Sequence, residues 1–326
     1  MRHTEVRAPA DGAGRVEKMT GSENPAKQRY VLNIYRMTTH NGPGIRTLVQ
    51  FKGCPLRCLW CAAPESQAPE PEIYYSPSKC IGCGSCERAC RCGAIAVRGE
   101  KAVLDRGLCV NCGDCAAVCF PGALVMAGRP MTVGEIVDEA KKDKVFYDHS
   151  GGGVTLTGGE PLSFPDFTLE LLRALKAEGI GTGVDTSGYA PRGDLERMIP
   201  YIDFFLWDIK HMDPGVHREL TGVSNERILE NAAAASRAGV PIYLRLPVIP
   251  GYNDSQENIG AVCDFAITLP SLVEVDLLPV HHLGKAAYEA LGRPYPIPSS
   301  LTAGEEALQD MKAAIMSRGL KCRIVA

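Results

Sequence analysis

No stretch of this 326-residue chain approaches the roughly 18–20 consecutive apolar residues that a membrane-spanning helix needs, and residues 1–28 carry no apolar run of the kind that directs secretion. The formal net charge is −3 and Lys and Arg are not gathered into runs, so nothing electrostatic favours a nucleic-acid partner. A Gly-x-Gly-x-x-Gly turn after the first strand-like run is missing too, which argues against a dinucleotide-binding sheet. These absences leave a soluble globule expected in the cytoplasm, with neither membrane nor nucleic acid among its partners. Its 45% hydrophobic content supplies a core for one large α/β domain or two ordinary ones.

What the chain has in excess is cysteine, 14 in all. In a reducing compartment clustered thiols read as metal ligands rather than disulfides. Cys54, Cys58 and Cys61 follow Cys-x3-Cys-x2-Cys on a short loop directly after the apolar run Thr47 to Phe51. Three thiolates around a four-iron cube leave one iron without a protein ligand, and an open metal position is where chemistry happens. A zinc knuckle would want a fourth ligand, and disulfides an even count.

A second pattern, Cys-x2-Cys-x2-Cys-x3-Cys, occurs twice: Cys80, Cys83, Cys86, Cys90, and then Cys109, Cys112, Cys115, Cys119. This resembles the bacterial ferredoxin with two [4Fe-4S] clusters, in which the fourth Cys of each run ligates the other cluster. The resemblance implies one cluster on Cys80, Cys83, Cys86 and Cys119, and another on Cys109, Cys112, Cys115 and Cys90. Gly82, Gly84, Ser85 and Gly113 would let the backbone wrap closely and aim N–H groups at sulfur. The match departs from the family after the fourth Cys, where Pro is usual: Cys90 is followed by Arg91-Cys92, and Cys119 by Phe120 with Pro121 one place late. Cys92 therefore competes with Cys90, although the x3 spacing favours Cys90. Cys263 and Cys322 stand in apolar neighbourhoods and read as buried small hydrophobes.

Residues 1–28 show neither helical nor strand period and are expected to form a tail. From Tyr30 the chain turns apolar, passes through His40 to Gly44, and enters the strand Arg46 to Phe51. After Pro130 helices and strands alternate to the end. Thr132 with Glu135 forms a capping box for a helix running to about Asp143, and strands follow near Gly153, Gly181, Phe204, Pro241, Val273 and Cys322. This alternation predicts a parallel sheet in an α/β fold: a partial (β/α)6 TIM-like barrel over residues 29–75 and 128–326, with a ferredoxin-like insertion over 76–127. An open doubly wound sheet is the alternative. In parallel barrels the C-terminal strand ends build the active site, and here every strand ends in polar or Gly residues.

The Cys-x3-Cys-x2-Cys loop after the first strand, with Gly158-Gly159-Glu160 after the second, resembles the radical S-adenosylmethionine (SAM) superfamily. His40-Asn41-Gly42-Pro43-Gly44-Ile45-Arg46-Thr47, Ser150-Gly151-Gly152-Gly153-Val154-Thr155, Asp208-Ile209-Lys210 and Gly222-Val223-Ser224-Asn225 look like its glycyl-radical-enzyme activating enzymes, in the larger form that carries a two-cluster insertion. The resemblance implies three [4Fe-4S] clusters and SAM, with Cys54, Cys58 and Cys61 holding the site cluster. It implies that SAM is cleaved to methionine and a 5′-deoxyadenosyl radical, which abstracts hydrogen from a glycine Cα of a partner enzyme, with flavodoxin or a ferredoxin-type protein as reductant. Carried over position by position, Gly158, Gly159 and Glu160 would meet the SAM amino group, and Trp60 would pack near the adenine. Asp185, Thr186 and Asp208, with the main chain at Leu206, would bind a monovalent cation beside the SAM carboxylate. Lys210, Arg245 and His281 would face SAM or the partner's glycine loop. His282 and Ala62-Ala63-Pro64-Glu65 depart from the family pattern. Two other readings are a radical SAM reaction on a small molecule and a non-catalytic iron–sulfur electron carrier; a carrier needs neither an open iron nor a strand-end site.

Overall fold

The computed structural model describes residues 28–325, which form two compact units, Ile73–Ala127 and residues 28–72 with 128–325. The tail expected over 1–28 lies, apart from Gln28, outside the described residues. In chain order the strands are β1 (Gln28–Thr38), β2 (Arg46–Phe51), β3 (Glu72–Tyr75), β4 (Ile95–Arg98), β5 (Lys101–Leu104), β6 (Leu124–Ala127), β7 (Arg129–Thr132), β8 (Gly153–Gly158), β9 (Gly181–Thr186), β10 (Phe204–Asp208), β11 (Ile242–Val248), β12 (Leu272–Pro279) and β13 (Cys322–Ile324).

The larger unit is built on a nine-stranded sheet in the order β13-β12-β11-β10-β9-β8-β2-β1-β7. From β2 to β13 every neighbouring pair is parallel, whereas β1 runs antiparallel to both β2 and β7. The parallel strands are short and apolar, as strands covered by crossover helices must be. Val49, Leu156, Val184, Phe205, Leu244 and Val275 are all buried, and they share one core with Ile136, Leu171, Leu172, Ile228 and Val262 from the helices. Each such side chain contributes about 1.5–3 kcal/mol by leaving water. Among the described residues no helix is long and apolar enough to cross a membrane.

The capping box forms as expected: the Glu135 amide donates to Thr132 Oγ1 at 3.2 Å, and the Thr132 amide donates to Glu135 Oε2 at 2.7 Å. The helix ends earlier than expected, at Lys141, and a second helix, Lys144–Ser150, follows. Asp143 is the cause. Its carboxylate accepts from Arg36 Nε at 2.8 Å and Thr47 Oγ1 at 3.0 Å, while its carbonyl accepts the amides of Phe146 and Tyr147 and so opens the new helix.

The smaller unit pairs β3 with β6 and β4 with β5. Its boundary falls three residues before the expected 76, because the β3 residues Ile73–Tyr75 belong with β6. Each Cys-x2-Cys-x2-Cys run ends in a single helical turn, Ser85–Ala89 or Asp114–Ala117, preceded by a glycine in the left-handed region, Gly84 (φ 75°) or Gly113 (φ 87°). Only glycine takes that turn without strain. Cys86 and Cys115 are buried beside Ile73, Ile95, Ala102 and Leu124, so the core of this unit includes one thiol from each run.

Candidate active site and cluster cavities

Because β2 and β8 to β12 are parallel, their C-terminal ends share one edge of the sheet. The Cys54–Cys61 loop leaves β2 there, Gly159-Glu160 leaves β8, Asp185-Thr186 ends β9, Asp208 ends β10 with Lys210 just beyond, and His281 follows β12. Every residue singled out for the reaction site in the larger unit lies on or near this rim.

The thiol loop is braced on three sides. The Gly53 and Cys54 amides donate to the Ser66 and Gln67 carbonyls at 2.7 and 3.0 Å. Arg57 and Leu59 amides donate to Thr221 and Leu220 carbonyls at 2.6 and 3.1 Å, in the last turn of the helix Pro214–Thr221. On the third side, Gly159 donates to the Phe51 carbonyl and Glu160 to the Gly53 carbonyl, both at 2.8 Å. A Cβ on Gly158 (φ 108°) would stand 2.5 Å from the Phe51 main chain, and one on Gly159 would overlap the Gly53 carbonyl. Close approach to the end of β2 for Gly158, and to the start of the thiol loop for Gly159, is thus sufficient reason for both glycines.

Glu160 is buried and its carboxylate is fully engaged. Oε1 accepts from Thr186 Oγ1 (2.5 Å) and the Leu162 amide (3.1 Å), and Oε2 accepts from the Ser187 amide (2.9 Å) and Ser187 Oγ (2.5 Å). Four donors fill the acceptor capacity of a carboxylate. Its side chain therefore ties β8 to the end of β9, and main chain is what Gly158-Gly159-Glu160 can offer a ligand. Burial raises the Glu160 carboxyl above its ordinary range, with the Ser187 and Thr186 hydroxyls opposing.

Asp185, Asp208, Lys210 and Arg245 form a second group. Arg245 Nη1 donates to Asp185 Oδ2 at 3.0 Å, Thr157 Oγ1 donates to the same oxygen at 3.0 Å, and Lys210 Nζ donates to Asp208 Oδ2 at 2.9 Å. Thr186 is committed to Glu160 and to the Gly188 amide (2.8 Å). The two carboxylates are thus each paired with a side-chain cation. Burial alone would lower the Lys210 ammonium, yet Asp208 and the Cys58 and Cys54 thiols outweigh it and hold it above its usual value. Burial pushes the Cys58 thiol up to about 12, with Lys210 pulling the other way, and raises Cys54 and Cys61 likewise.

Trp60 is buried among Leu220, Ile249 and Ile297, edge-on to Tyr252 at 6.4 Å, so it anchors the loop to the rim. His281 is exposed, and His282 is tied to Tyr295 Oη (2.9 Å) and the Leu301 carbonyl (2.7 Å).

Two pockets of the smaller unit are lined by cysteine. One is lined by Cys80, Cys83, Cys86 and Cys119; the other by Cys109, Cys112, Cys115, Cys90 and also Cys92. The crossed grouping is thus present in the fold. Among the described residues no three His, Cys, Asp or Glu side chains converge as ligands of a single ion would. Backbone amides point at sulfur: Ala102 to Cys80 (3.4 Å), Ala94 to Cys90 (3.2 Å) and Leu124 to Cys119 (3.3 Å). Such donors suit a thiolate ligand of an iron–sulfur cluster.

Residues 79–123 match the 4Fe-4S dicluster domain and residues 110–261 the radical SAM superfamily. The isethionate sulfite-lyase activating enzyme of Nitratidesulfovibrio vulgaris is 40% identical over 290 residues, covering 87% of this chain and 94% of its own. The (2S)-3-sulfopropanediol sulfolyase activating enzyme of Bilophila wadsworthia is 43% identical over 272 residues, 82% of this chain and 90% of its own. The chain belongs to the radical SAM activating enzymes of glycyl-radical enzymes. Streptococcus suis SuiB bound to its precursor peptide SuiA shares the fold, with a TM-score of 0.51 over 86% of this chain and 48% of that one at 15% identity.

In this activating enzyme two of the segments that resemble the family, His40–Thr47 and Ser150–Thr155, meet at the opposite rim, where β2 and β8 begin. The Ile45 amide donates to Ser150 Oγ (2.9 Å), the Gly153 amide to the Ile45 carbonyl (3.2 Å) and Thr155 Oγ1 to the Asn41 carbonyl (2.8 Å). Gly222-Val223-Ser224-Asn225 directly follows the helical turn that braces the thiol loop, and Asn225 Nδ2 donates to the His211 and Met212 carbonyls at 2.9 and 2.6 Å.

Sequence reasoning missed Asp276, Arg323, Tyr288 and Gly284. Asp208, Arg245, Asp276 and Arg323 are register partners on β10 to β13, a row of alternating charge across four strands. Arg323 donates to both oxygens of buried Asp276, at 2.6 and 3.0 Å. A carboxylate inside the apolar run Val275 to Leu278 was the signal. Tyr288 is buried close enough to Cys61 and Cys58 that these thiols add to the burial that raises its hydroxyl. A Cβ on Gly284 would meet the Cys61 carbonyl at 2.6 Å, so the start of the helix Lys285–Ala290 packs onto the thiol loop; no motif announces this.

Proposed function

We propose that this protein holds three [4Fe-4S] clusters, binds SAM at the cluster carried by Cys54, Cys58 and Cys61, and generates a glycyl radical on a partner enzyme. The reduced site cluster and SAM together supply a 5′-deoxyadenosyl radical, with methionine as the other product. The carrying observation is the braced loop: three thiols and no fourth cysteine on it, at the strand-end rim of a parallel sheet. We infer that this sheet curves into a partial barrel, whose mouth would receive the partner's glycine-bearing segment.

The chain's own residues bind and orient. Main chain at Gly158 and Gly159 accepts the SAM amino group. Lys210 and Arg245 balance Asp185 and Asp208 and place positive charge near the SAM carboxylate; a monovalent cation would share those two carboxylates with them. Trp60 anchors the loop through Leu220, Ile249 and Ile297, and His281 meets the incoming partner. Keeping bulk water from this rim protects a reactive radical from side reactions.

The two clusters of the smaller unit relay electrons from a flavodoxin or ferredoxin-type protein in the cytoplasm. Anaerobic incubation of the reconstituted protein with SAM, reductant and a candidate glycyl-radical enzyme should give the glycyl radical signal in electron paramagnetic resonance. A partner carrying Ala in place of the radical glycine should give none. An equal signal from that variant, or release of a modified small molecule without a protein radical, would overturn the proposal.

A further inference from the structure

The two halves of the smaller unit align residue by residue after the fourth Cys of each run: Cys90-Arg91-Cys92-Gly93-Ala94-Ile95 against Cys119-Phe120-Pro121-Gly122-Ala123-Leu124. The fold keeps the correspondence. Gly93 (φ 67°) and Gly122 (φ 64°) take the same left-handed turn, and Ala94 with Ile95 lines one cavity as Ala123 with Leu124 lines the other. Cys92 therefore occupies the place of Pro121, and both face their cavity. One cavity thus has four thiols and its counterpart five, with Cys92 Sγ 3.7 Å from Cys90 Sγ, the contact distance of two sulfurs at one corner.

We infer that Cys90 and Cys92 are interchangeable ligands for the fourth iron of the cluster bounded by Cys109, Cys112 and Cys115. Exchange needs no redox step. The iron–sulfur bond to Cys90 breaks as that to Cys92 forms, and the thiol proton of Cys92 passes to the departing Cys90 thiolate. The reverse step restores the starting state. Cys90 is favoured by the Ala94 amide at 3.2 Å, and Cys92 is its reserve. The half containing Pro121 has no such reserve, so the two clusters should differ in how they survive loss of the fourth ligand.

The inference rests on the dicluster reading, and the experiment separates the two. Cys90→Ser, Cys92→Pro, the double variant and Cys119→Ser are purified anaerobically and examined by iron analysis and by paramagnetic resonance after mild oxidation. Cys92→Pro copies the residue that the other half already tolerates, which protects the fold. Cys119→Ser should lose an iron and show a [3Fe-4S] signal, as should the double variant, whereas Cys90→Ser and Cys92→Pro alone should keep intact four-iron clusters. A [3Fe-4S] signal from either single variant comparable with Cys119→Ser would overturn the inference, as would an intact cluster in the double variant. Wild-type protein with no cluster in this unit would overturn the dicluster reading and the inference with it.

Discussion

Arg245 on β11 reaches past β10 to donate to Oδ2 of Asp185 on β9, 3.0 Å away, and both side chains are largely buried. Burial raises the Asp185 carboxyl and Arg245 opposes that rise. Removing the cation leaves Asp185 without its charge partner, while Asp208, still paired with Lys210, lies close enough to push Asp185 up further. Arg245→Met should therefore destabilise the protein by about 3–5 kcal/mol. A carboxyl whose folded pKa lies above its unfolded value, about 3.9, costs stability as pH rises through that interval. The wild-type carboxyl is itself raised, so the deficit of the variant should grow only as pH climbs past the wild-type folded value toward neutrality. Urea midpoints at a series of pH values would test this, and a constant deficit would refute it.

Gly159→Ala places a methyl on the Gly53 carbonyl, main chain against main chain, where neither side can yield by a rotamer change. The fold should lose about 1–3 kcal/mol, as overpacked cores do. The larger effect should be on the thiol loop: iron bound by Cys54, Cys58 and Cys61 should fall well below wild type while the clusters of the smaller unit persist. Iron analysis with Mössbauer spectroscopy reads both, and uniform loss of all clusters would contradict the assignment of this glycine to the loop.

Asp143 joins β1, β2 and the following helix through Arg36, Thr47 and its own carbonyl. The Arg36 hydrogen bond, opposed by burial, holds its carboxyl below the ordinary range. A depressed carboxyl contributes stability above its unfolded pKa of about 3.9 and loses it as pH falls through the folded value. Asp143→Asn should cost about 1.5–3 kcal/mol near neutral pH, and the gap from wild type should close only below about pH 4. Thermal melts across pH 3 to 7 would check it; a gap that widens on acidification would be the wrong sign.

Cys83→Ser and Cys112→Ser each remove one ligand from a different cavity of the smaller unit. If these clusters relay electrons, each variant should cleave SAM slowly with a protein reductant and at near wild-type rate with a strong chemical one. Equal loss with both reductants would make the clusters scaffolding instead.

The parallel sheet was legible in the sequence because its strands are buried on both faces and end in glycine or charge, as in Val154-Thr155-Leu156-Thr157-Gly158 and Phe205-Leu206-Trp207-Asp208. Ligand spacing made the thiols legible, since one short loop or helical turn carries each set. Partnership was not legible. Glu160 is expected at the SAM amino group, and its carboxylate is filled by Thr186, Ser187 and Leu162, which leaves its main chain for that role; Asp185 and Asp208, expected at a monovalent cation, also stand beside Arg245 and Lys210. Such pairings join residues far apart in the chain and leave no local period. Asp143 was hidden the same way, being read as a helix end when its contacts to Arg36 and Thr47 lie 107 and 96 positions away.

The most direct measurement is SAM cleavage by the anaerobically reconstituted protein under a strong chemical reductant. Wild type should release methionine and 5′-deoxyadenosine in equal amounts, Cys58→Ser should release neither while keeping both clusters of the smaller unit, and Cys83→Ser should still cleave. Cleavage that survives in Cys58→Ser, or a fully reconstituted wild type that leaves SAM intact, would contradict the assignment of the reaction to the loop bearing Cys54, Cys58 and Cys61.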